Sequence, residues 1–406
     1  MQPDPAVQAF KRPRTGKLPY SEAKDRGEER VGRIRGAMEE AGVDYLVAGT
    51  PENVRMLTGY WPVVGPSVAV FGKAASWLIL PEDEAHLAAA SWVDEVRTFK
   101  AGSLSSLTSP VEALSTELRN LGREIGSRIV ATDEQEKMVP ATYIALWFVP
   151  NFDELVARLF PTARIVIRSE AFARLRAVLT ANEMAMLKQA IAAARSGFEA
   201  VADLFEPGIS ESELAAQISG FLNSPATKCG RAGGQIFCMS GPNSAQASAS
   251  YQQSTERKIA NSEVLLVHCN SYLTGLWTDI TRTFFTGRRT TRIRKLTDAL
   301  LQARDAALEV IRPGIPARRV DSAARRSLHE AGLDEFFPHG LGHGVGFSAI
   351  NHLAVPRLHP ASDQTLEEGM VFNVEPAVYF PGEFGMRHCD MVQVTSHGCE
   401  LLTDFP

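Results

Sequence analysis

The chain has 406 residues, of which 45% are hydrophobic and 22% are charged. A chain of this length can bury a large core, and a typical domain size of about 150 residues suggests two or three domains. The composition excludes a mainly disordered, collagen-like or coiled-coil protein. The net charge of −5 argues against a dedicated nucleic-acid binder, which needs a basic surface to displace the counterions of phosphate groups.

No membrane-spanning segment or secretory leader is predicted. The longest clear apolar run, Tyr143–Val149, is much shorter than the roughly 18 residues that cross a bilayer. The stretch Met1–Lys24 is rich in Pro, Lys and Arg and lacks the apolar core of a signal peptide. The five cysteines are an odd number without a close CxxC pair, which argues against a disulfide framework or a zinc finger. We therefore expect a cytoplasmic protein with reduced thiols.

The first half of the chain alternates predicted strands and helices. An extended N-terminal arm precedes a helix at Glu28–Ala41, and Val68–Phe71 with Trp77–Leu80 form a predicted hairpin, because Gly72 opens their short connection. Further strands are predicted at 45–48, 95–99, 127–132 and 163–167, and further helices at 53–57, 110–121 and 153–159. This alternation predicts an α/β layer structure.

A boundary is predicted near residues 170–182, and the predicted domains are 1–172 and 173–406. Thr180 with Glu183, and Ser210 with Glu213, have the spacing of capping boxes that begin helices. Strands are then predicted at 236–239, 264–269, 279–285, 371–374 and 388–394, with helices at 292–311 and 317–331. The order predicts a curved antiparallel sheet backed by helices.

Polar side chains interrupt two of these apolar strands. His268 ends one predicted strand, the chain turns through residues 270–275, and Asp279 begins the next, so the imidazole and the carboxylate are expected to face one cavity. Such a pair can bind a metal or act as acid and base. The alternative, an ion pair between Asp279 and Arg282, stays open because an unpaired buried carboxylate is costly.

A second cluster lies in the glycine-rich segment Phe336–His352. Its alternating glycines disfavour a helix, and on an extended strand His339 and His343 share one side. A third cluster follows the predicted strand at 371–374. There Glu375 ends a buried strand, and alternation predicts Arg387 and Cys389 on one face of the sheet, opposite His388 and Asp390. A structural role stays open for each of these side chains.

Together these segments resemble the pita-bread family, which includes aminopeptidase P, prolidase, methionine aminopeptidase and creatinase. The resemblance covers roughly residues 35–406 and rests on motifs in family order: Met56-Leu-Thr-Gly59, Asp279–Phe284, Pro338–His343, Glu368-Gly-Met370, Glu375-Pro376 and Arg387–Asp390. It implies an N-terminal α/β domain of the creatinase type, a C-terminal pita-bread α+β domain, and a homodimer.

The family's metallopeptidases hold two divalent ions with two Asp, one His and two Glu. By resemblance, one Asp falls on Asp279, the His on His343 and one Glu on Glu375, whereas His268 and Cys389 take the places of the other Asp and Glu. The family's substrate-side His is missing from the neighbourhood of Tyr251. A further family His falls on Ile350, and His352 lies close enough to substitute for it.

These changes remove two hard carboxylates. A pair of Mn²⁺ ions is therefore disfavoured, and two alternatives stay open: one divalent transition metal ion (Zn²⁺, Fe²⁺ or Mn²⁺), or a metal-free site as in creatinase. In the first case the ligands are His268, Asp279, His343, Glu375 and Cys389. In the second, His343 and Glu375 form an acid–base pair. His352 is a further candidate for proton transfer, and Cys389 a candidate nucleophile.

The sequence thus predicts a hydrolase that cleaves a C–N bond, such as an amide or amidine, in a small polar molecule. Its predicted substrate-binding side chains are Arg387, His339 and Tyr251. Two other functions stay open: an Xaa-Pro dipeptidase or aminopeptidase, and a catalytically silent binding protein on the same fold. Neither nucleic acid nor membrane is an expected partner.

Overall fold

In the computed structural model the described residues are 20–63, 66–106, 108–125, 128–132, 152–223, 231–249, 253–349 and 354–405. The chain divides into two compact units, Met1–Arg168 and Ser169–Pro406. The predicted domain bounds 1–172 and 173–406 stay a prediction. No helix within the described ranges is long and apolar enough to cross a membrane.

The first unit is an α/β sheet structure, as the alternating pattern predicts. Its helices are α1 (Tyr20–Glu40), α2 (Pro51–Thr58), α3 (Pro110–Ile125) and α4 (Phe152–Leu159). Its strands are β1 (Tyr45–Ala48), β2 (Val68–Gly72), β3 (Ser76–Pro81), β4 (Glu95–Phe99), β5 (Ile129–Thr132) and β6 (Arg164–Ile167). They form one sheet in the order β4-β3-β2-β1-β5-β6, and a short 3₁₀ segment covers Glu82–Ala90.

The hairpin of β2 and β3 is confirmed, with Val68 opposite Ile79. Apolar side chains from α3 and α4, including Leu118 and Phe152, pack against this sheet and are fully buried. One expectation was wrong at the N-terminus: α1 begins at Tyr20, eight residues before the predicted start at Glu28. Most of the predicted N-terminal arm lies outside the described residues.

The second unit is built from helices around antiparallel strands. Its helices are α5 (Ser169–Ala177), α6 (Ala181–Leu204), α7 (Glu211–Leu222), α8 (Thr291–Val310) and α9 (Ala317–Glu330), with 3₁₀ segments at Gly241–Ala249 and Asp334–Phe336. Both predicted capping boxes are confirmed: the side chains of Thr180 and Ser210 accept from the backbone N–H groups of Glu183 and Glu213. These local hydrogen bonds satisfy N–H groups that a helix start leaves without partners.

In the described part of this unit, the β layer consists of four small sheets. The strands are β7 (Ala232–Ser240), β8 (Val264–Leu273), β9 (Leu276–Trp277), β10 (Ile280–Phe285), β11 (Gly342–His343), β12 (Arg357–Leu358), β13 (Val371–Val374), β14 (Ala377–Phe380), β15 (Phe384–Arg387), β16 (Asp390–Val394) and β17 (Cys399–Leu401). The sheets are β10-β8-β7 with β9, β11-β12, β13-β16-β17 and β14-β15. Every pairing among them is antiparallel.

Two expectations about these strands were wrong. The turn predicted from Asn270 lies farther along, because β8 continues to Leu273. Its extension is held by buried polar contacts, in which the Ser271 backbone N–H donates to Thr278 Oγ1 and the Ser271 hydroxyl donates to Ala190 O. The segment with the two histidines is extended only at Gly342–His343, so His339 and His343 do not share a continuous strand.

Candidate active site

Strand register brings the second-unit candidates together. His268 on β8 lies opposite Thr281 on β10, and Thr281 in turn bridges to Cys389 just before β16. Strand β16 pairs with β13, after which Glu375 follows. The backbone N–H of Glu375 donates to Leu341 O at 2.8 Å, next to the strand that holds His343. Residues far apart in sequence are therefore positioned by consecutive backbone pairings.

Asp279 lies between two imidazoles. Its Oδ1 is 3.7 Å from His268 Nδ1, and its Oδ2 is 3.5 Å from His343 Nε2. Asn373 Nδ2 donates to the same Oδ2 at 3.3 Å. The alternative pairing of Asp279 with Arg282 is not found, because Arg282 instead pairs with Asp390 at 2.7 Å.

The two oxygens of Asp279 differ in their hydrogen bonding. Among the described residues, Asp279 Oδ1 is buried without a hydrogen-bond partner, in a residue that is 2% exposed. Burial favours the neutral acid, yet the hydrogen bond with His343 and the Arg387 guanidinium hold the pKa of Asp279 below its usual value. The site therefore contains an ionised carboxylate oxygen whose capacity to accept a hydrogen bond is not used by the described residues.

The backbone fixes the proton positions of His343. Its Nδ1 is 3.0 Å from Gly344 O, a carbonyl that can only accept, so Nδ1 carries a hydrogen. The atom that gains or loses a proton is therefore Nε2, which faces Asp279 and Asn373. Burial alone would lower the pKa of His343, but Asp279 and Glu375 outweigh it and raise this pKa to about 8. The imidazolium form is therefore favoured at neutral pH.

Glu375 is the second group whose pKa is shifted toward neutral pH. Burial raises the pKa of Glu375 to about 7, more than the nearby Arg387 guanidinium lowers it. The closest approach of the two is 3.9 Å, from Arg387 Nη1 to Glu375 Oε2. The His343 and Glu375 side chains are 14% and 12% exposed, and two such largely buried groups that both exchange protons near neutral pH are typical of acid–base sites.

Arg387 and Cys389 lie within this cluster, but neither is exposed. The Arg387 side chain is 6% exposed and donates through Nε to Thr281 Oγ1 at 3.0 Å. Cys389 is fully buried, and burial raises the pKa of its thiol well above the usual value. A neutral buried thiol is a poor nucleophile, so this geometry does not support the nucleophile role predicted for Cys389.

Residues 387–390 do not form the continuous strand that the predicted alternation of faces requires. Strand β15 ends at Arg387 and β16 begins only at Asp390. His388 and Asp390, which were predicted to share a face, are nevertheless in contact, and His388 Nε2 lies 3.0 Å from Asp390 Oδ2.

His339 lies beside a tyrosine that the sequence analysis did not select. Its Nδ1 is 2.8 Å from Gly340 O, so its Nε2 accepts, at 3.2 Å, from the hydroxyl of Tyr379. Burial lowers the pKa of His339 to about 4, which keeps it neutral. Burial also raises the pKa of Tyr379 to about 12, and the phenol keeps its proton.

Other polar partners were also missed by the sequence analysis: Asn270, Thr281 and Asn373. Asn270 stands two residues after His268 on β8, so the period of a strand places both on one face, and its Oδ1 is 3.0 Å from His268 Nε2. That spacing was a usable signal. Asn373 gave none, because it contacts the site across strands: its Oδ1 accepts from the His343 backbone N–H at 2.7 Å.

An ion pair on α9 supports the segment that holds both histidines. Asp321 and Arg325 lie 3.1 Å apart. Asp321 Oδ1 accepts from the Leu341 N–H at 3.0 Å, and Arg325 Nη2 donates to His339 O at 2.9 Å. Backbone groups of a segment with little regular structure are thus paired by side chains, as buried polar groups require.

Gly342, which precedes His343, is expected to tolerate no side chain. A Cβ at this position would lie 2.0 Å from the Asn373 carbonyl oxygen. We expect Gly342→Ala to lower the free energy of unfolding by about 1–3 kcal/mol, because backbone must move to make room. Denaturant unfolding would measure the change. Gly220 in α7 is the matched control, since a Cβ there meets nothing within 4 Å; Gly220→Ala should be neutral or stabilising.

The roles assigned to the clustered residues stay predictions, and two candidates cannot be located. His352, a candidate for proton transfer, and Tyr251, a candidate for substrate binding, lie outside the described residues. The described candidates, in contrast, belong to one cluster: His268, Asp279, His339, His343, Glu375, Arg387 and Cys389.

Comparison with known proteins agrees with this fold. Residues 185–396 match metallopeptidase family M24, and residues 30–178 match the creatinase/prolidase N-terminal domain. The putative dipeptidase YkvY of Bacillus subtilis is 29% identical over 93% of this chain and 98% of its own length. The Xaa-Pro dipeptidase of Pyrococcus furiosus is 26% identical over 92% of this chain and 97% of its own.

Solved structures agree as well. The Xaa-Pro dipeptidase from Bacillus anthracis superposes with a TM-score of 0.75 at 25% identity, over 93% of this chain and 98% of that one. Dipeptidase PepE from Mycobacterium ulcerans gives 0.73 at 26% identity, over 96% and 98%. The pita-bread fold expected from the motifs is thereby confirmed, and the chain belongs to metallopeptidase family M24.

Proposed function

We propose that this protein hydrolyses a C–N bond in a small polar molecule through an acid–base pair formed by His343 and Glu375. The observation that carries the proposal is the position of these two groups beside Asp279 and Arg387: His343 Nε2 lies 3.5 Å from Asp279 Oδ2, Glu375 Oε2 lies 3.9 Å from Arg387 Nη1, and the pKa values of both groups lie near neutrality. Family membership supports hydrolysis, since the named relatives are dipeptidases.

The reaction follows from the proton positions. Glu375 as carboxylate removes a proton from a water molecule, and the resulting hydroxide attacks the carbon of the scissile C–N bond. His343 donates the proton on Nε2 to the leaving nitrogen, so that the bond breaks and a neutral amine departs. Asp279 stabilises the imidazolium before this transfer, because its Oδ2 lies 3.5 Å from His343 Nε2.

The side chains do not fit the dinuclear metal centre that the family name implies. Where the family has four carboxylates, this chain has two, and the others are His268 and Cys389. Among the described residues, no group of three or more His, Cys, Asp or Glu side chains is arranged to hold a metal ion. No step of the proposed reaction uses one.

An Xaa-Pro dipeptidase is the second candidate, and the names of the relatives favour it. It requires that the altered site still accept metal ions. The third candidate, a silent binding protein, requires that the acid–base pair have no substrate. Cytoplasmic location, a homodimer and the domain bounds 1–172 and 173–406 remain predictions beside these functions.

A substrate panel tests the three functions. The purified full chain is incubated with X-Pro dipeptides, other dipeptides, N-acyl amino acids and amidines, each with EDTA or with added Mn²⁺, and the released amine is measured by mass spectrometry. Our proposal predicts hydrolysis that EDTA leaves unchanged. Hydrolysis of X-Pro peptides only with Mn²⁺ would establish the second function instead, and no hydrolysis of any compound would favour the third.

A further inference from the structure

The hydrogen-bond partners of His268 determine where its proton lies. Asn270 Nδ2 donates to the Thr278 carbonyl oxygen at 3.1 Å, so the amide cannot be turned round without placing two acceptors together. Asn270 Oδ1 therefore faces His268 Nε2, at 3.0 Å, as an acceptor. His268 carries its hydrogen on Nε2, and Nδ1 keeps the lone pair.

The lone pair on His268 Nδ1 already accepts a hydrogen bond from a cationic side chain. Arg387 Nη2, which can only donate, lies 3.0 Å from His268 Nδ1. Thr281 Oγ1 lies 2.9 Å from the same nitrogen and also accepts from Arg387 Nε. The atom with which His268 would bind a metal ion thus points at a guanidinium group.

Cys389 is also unavailable as a metal ligand, because its thiol already makes a hydrogen bond. Its Sγ lies 3.3 Å from the Asp279 carbonyl oxygen, to which only a protonated thiol can donate. A metal needs the thiolate, whose charge would face that oxygen in a fully buried position. Neither replacement supplies a free electron pair to an ion at this place.

The charges of the cluster balance without an ion. Asp279 and Glu375 can carry two negative charges, and Arg387 and His343 can carry two positive ones. Asn373 Nδ2 adds a donor that lies 3.3 Å from Asp279 Oδ2 and 3.4 Å from His343 Nε2, the two atoms that a shared ion would have to contact. A divalent ion would leave a surplus of positive charge in a buried site, which is costly.

We propose that the Arg387 guanidinium supplies the fixed positive charge of this site in place of a metal ion, and that His268 is its neutral hydrogen-bond acceptor rather than a metal ligand. The inference concerns the site of the proposed function but does not depend on the reaction. Its test measures metal binding and proton positions instead of turnover, so the two proposals can fail separately.

Restoring both family carboxylates tests this inference. Chelator-treated wild type and the double variant His268→Asp/Cys389→Glu are incubated with Mn²⁺, Co²⁺ or Zn²⁺, freed of unbound ion by gel filtration, and analysed by elemental mass spectrometry. We expect well below one ion per chain in the wild type and at least one in the variant, whose melting temperature should rise with metal concentration. The matched control His268→Asn/Cys389→Gln, with amides in place of the carboxylates, should hold none.

The variant with two added buried carboxylates can fail to fold, so a second measurement uses the wild type alone. Nitrogen NMR of ¹⁵N-histidine-labelled protein, assigned by the loss of one signal in His268→Asn, should report a proton on Nε2 and none on Nδ1. A wild type that retains a stoichiometric ion, or a His268 protonated on Nδ1, would overturn the proposal.

Discussion

Replacement of Glu375 by Gln should lower kcat by roughly 10²–10⁴-fold for any substrate that the panel identifies, because the amide cannot take a proton from water. The substitution keeps the size of the side chain and its place after β13. Burial raises the pKa of Glu375 to about 7, so the wild-type rate should increase as pH rises through this value and the base becomes ionised. The variant should lack that increase. Steady-state kinetics across pH would measure both effects.

Glu368→Gln is the matched control for this variant. Glu368 is exposed and lies on the same stretch of chain, seven residues before Glu375, so the change in charge is the same but lies outside the cluster. We expect its kcat and pH profile to equal those of the wild type. If Glu375→Gln retained full kcat, the acid–base assignment would be wrong. If both variants lost activity equally, a loss of overall charge would explain the result better than a loss of the base.

Local signals predicted the elements of the fold well. The capping boxes at Thr180 and Ser210 place helix starts because their hydrogen bonds span only three residues. Strand β13 has the predicted bounds, Val371–Val374. Where tertiary partners decide, the sequence was less informative. Strand β8 passes the predicted turn because Ser271 bonds to Ala190 on α6, a residue distant in sequence.

The same division applies to the site. The family pattern predicted that His268 and Asp279 would lie near His343. Both imidazoles are indeed within 4 Å of the Asp279 carboxylate. Their hydrogen-bond roles could not be read from the motifs. Whether His268 presents a lone pair to an ion depends on Asn270 and Arg387, and Arg387 also donates to Thr281 on the neighbouring strand. A motif identifies which residues meet, whereas proton positions depend on the full set of neighbours.

The ion-pair partner of Arg282 also depends on residues that are distant in sequence. Sequence proximity suggested Asp279 as its partner, only three residues away. Asp279 lies just before β10, however, and Arg282 lies within that strand. The guanidinium of Arg282 instead donates to Asp390 and to carbonyl oxygens, including that of Cys389. Asp279 is consequently left to the cluster of the candidate site.

Replacement of Asp390 by Asn should give the largest loss of stability in the second unit. Asp390 and Arg282 are 0% and 3% exposed and lie 2.7 Å apart, and Arg304 approaches the other carboxylate oxygen at 3.3 Å. Thr403 Oγ1 donates to Asp390 at 2.7 Å. Removing one partner of a buried ion pair leaves an uncompensated charge, so we expect the free energy of unfolding to fall by roughly 3–5 kcal/mol. Denaturant unfolding at neutral pH would measure it.

The pH dependence of this loss provides an internal check. Hydrogen bonds and cations hold the pKa of Asp390 well below its usual value in the folded chain, against the effect of burial. As pH falls, the Asp390 carboxylate therefore takes up a proton in the unfolded chain before it does so in the folded chain. The difference in unfolding free energy between wild type and Asp390→Asn is complete above the unfolded pKa of about 3.9, and it shrinks as pH falls below that value. Glu383→Gln, which breaks the exposed pair with Arg292, is the control and should not change stability measurably. A difference between wild type and Asp390→Asn that did not depend on pH would show that packing, and not the ionised carboxylate, stabilises the junction of β10 and β16.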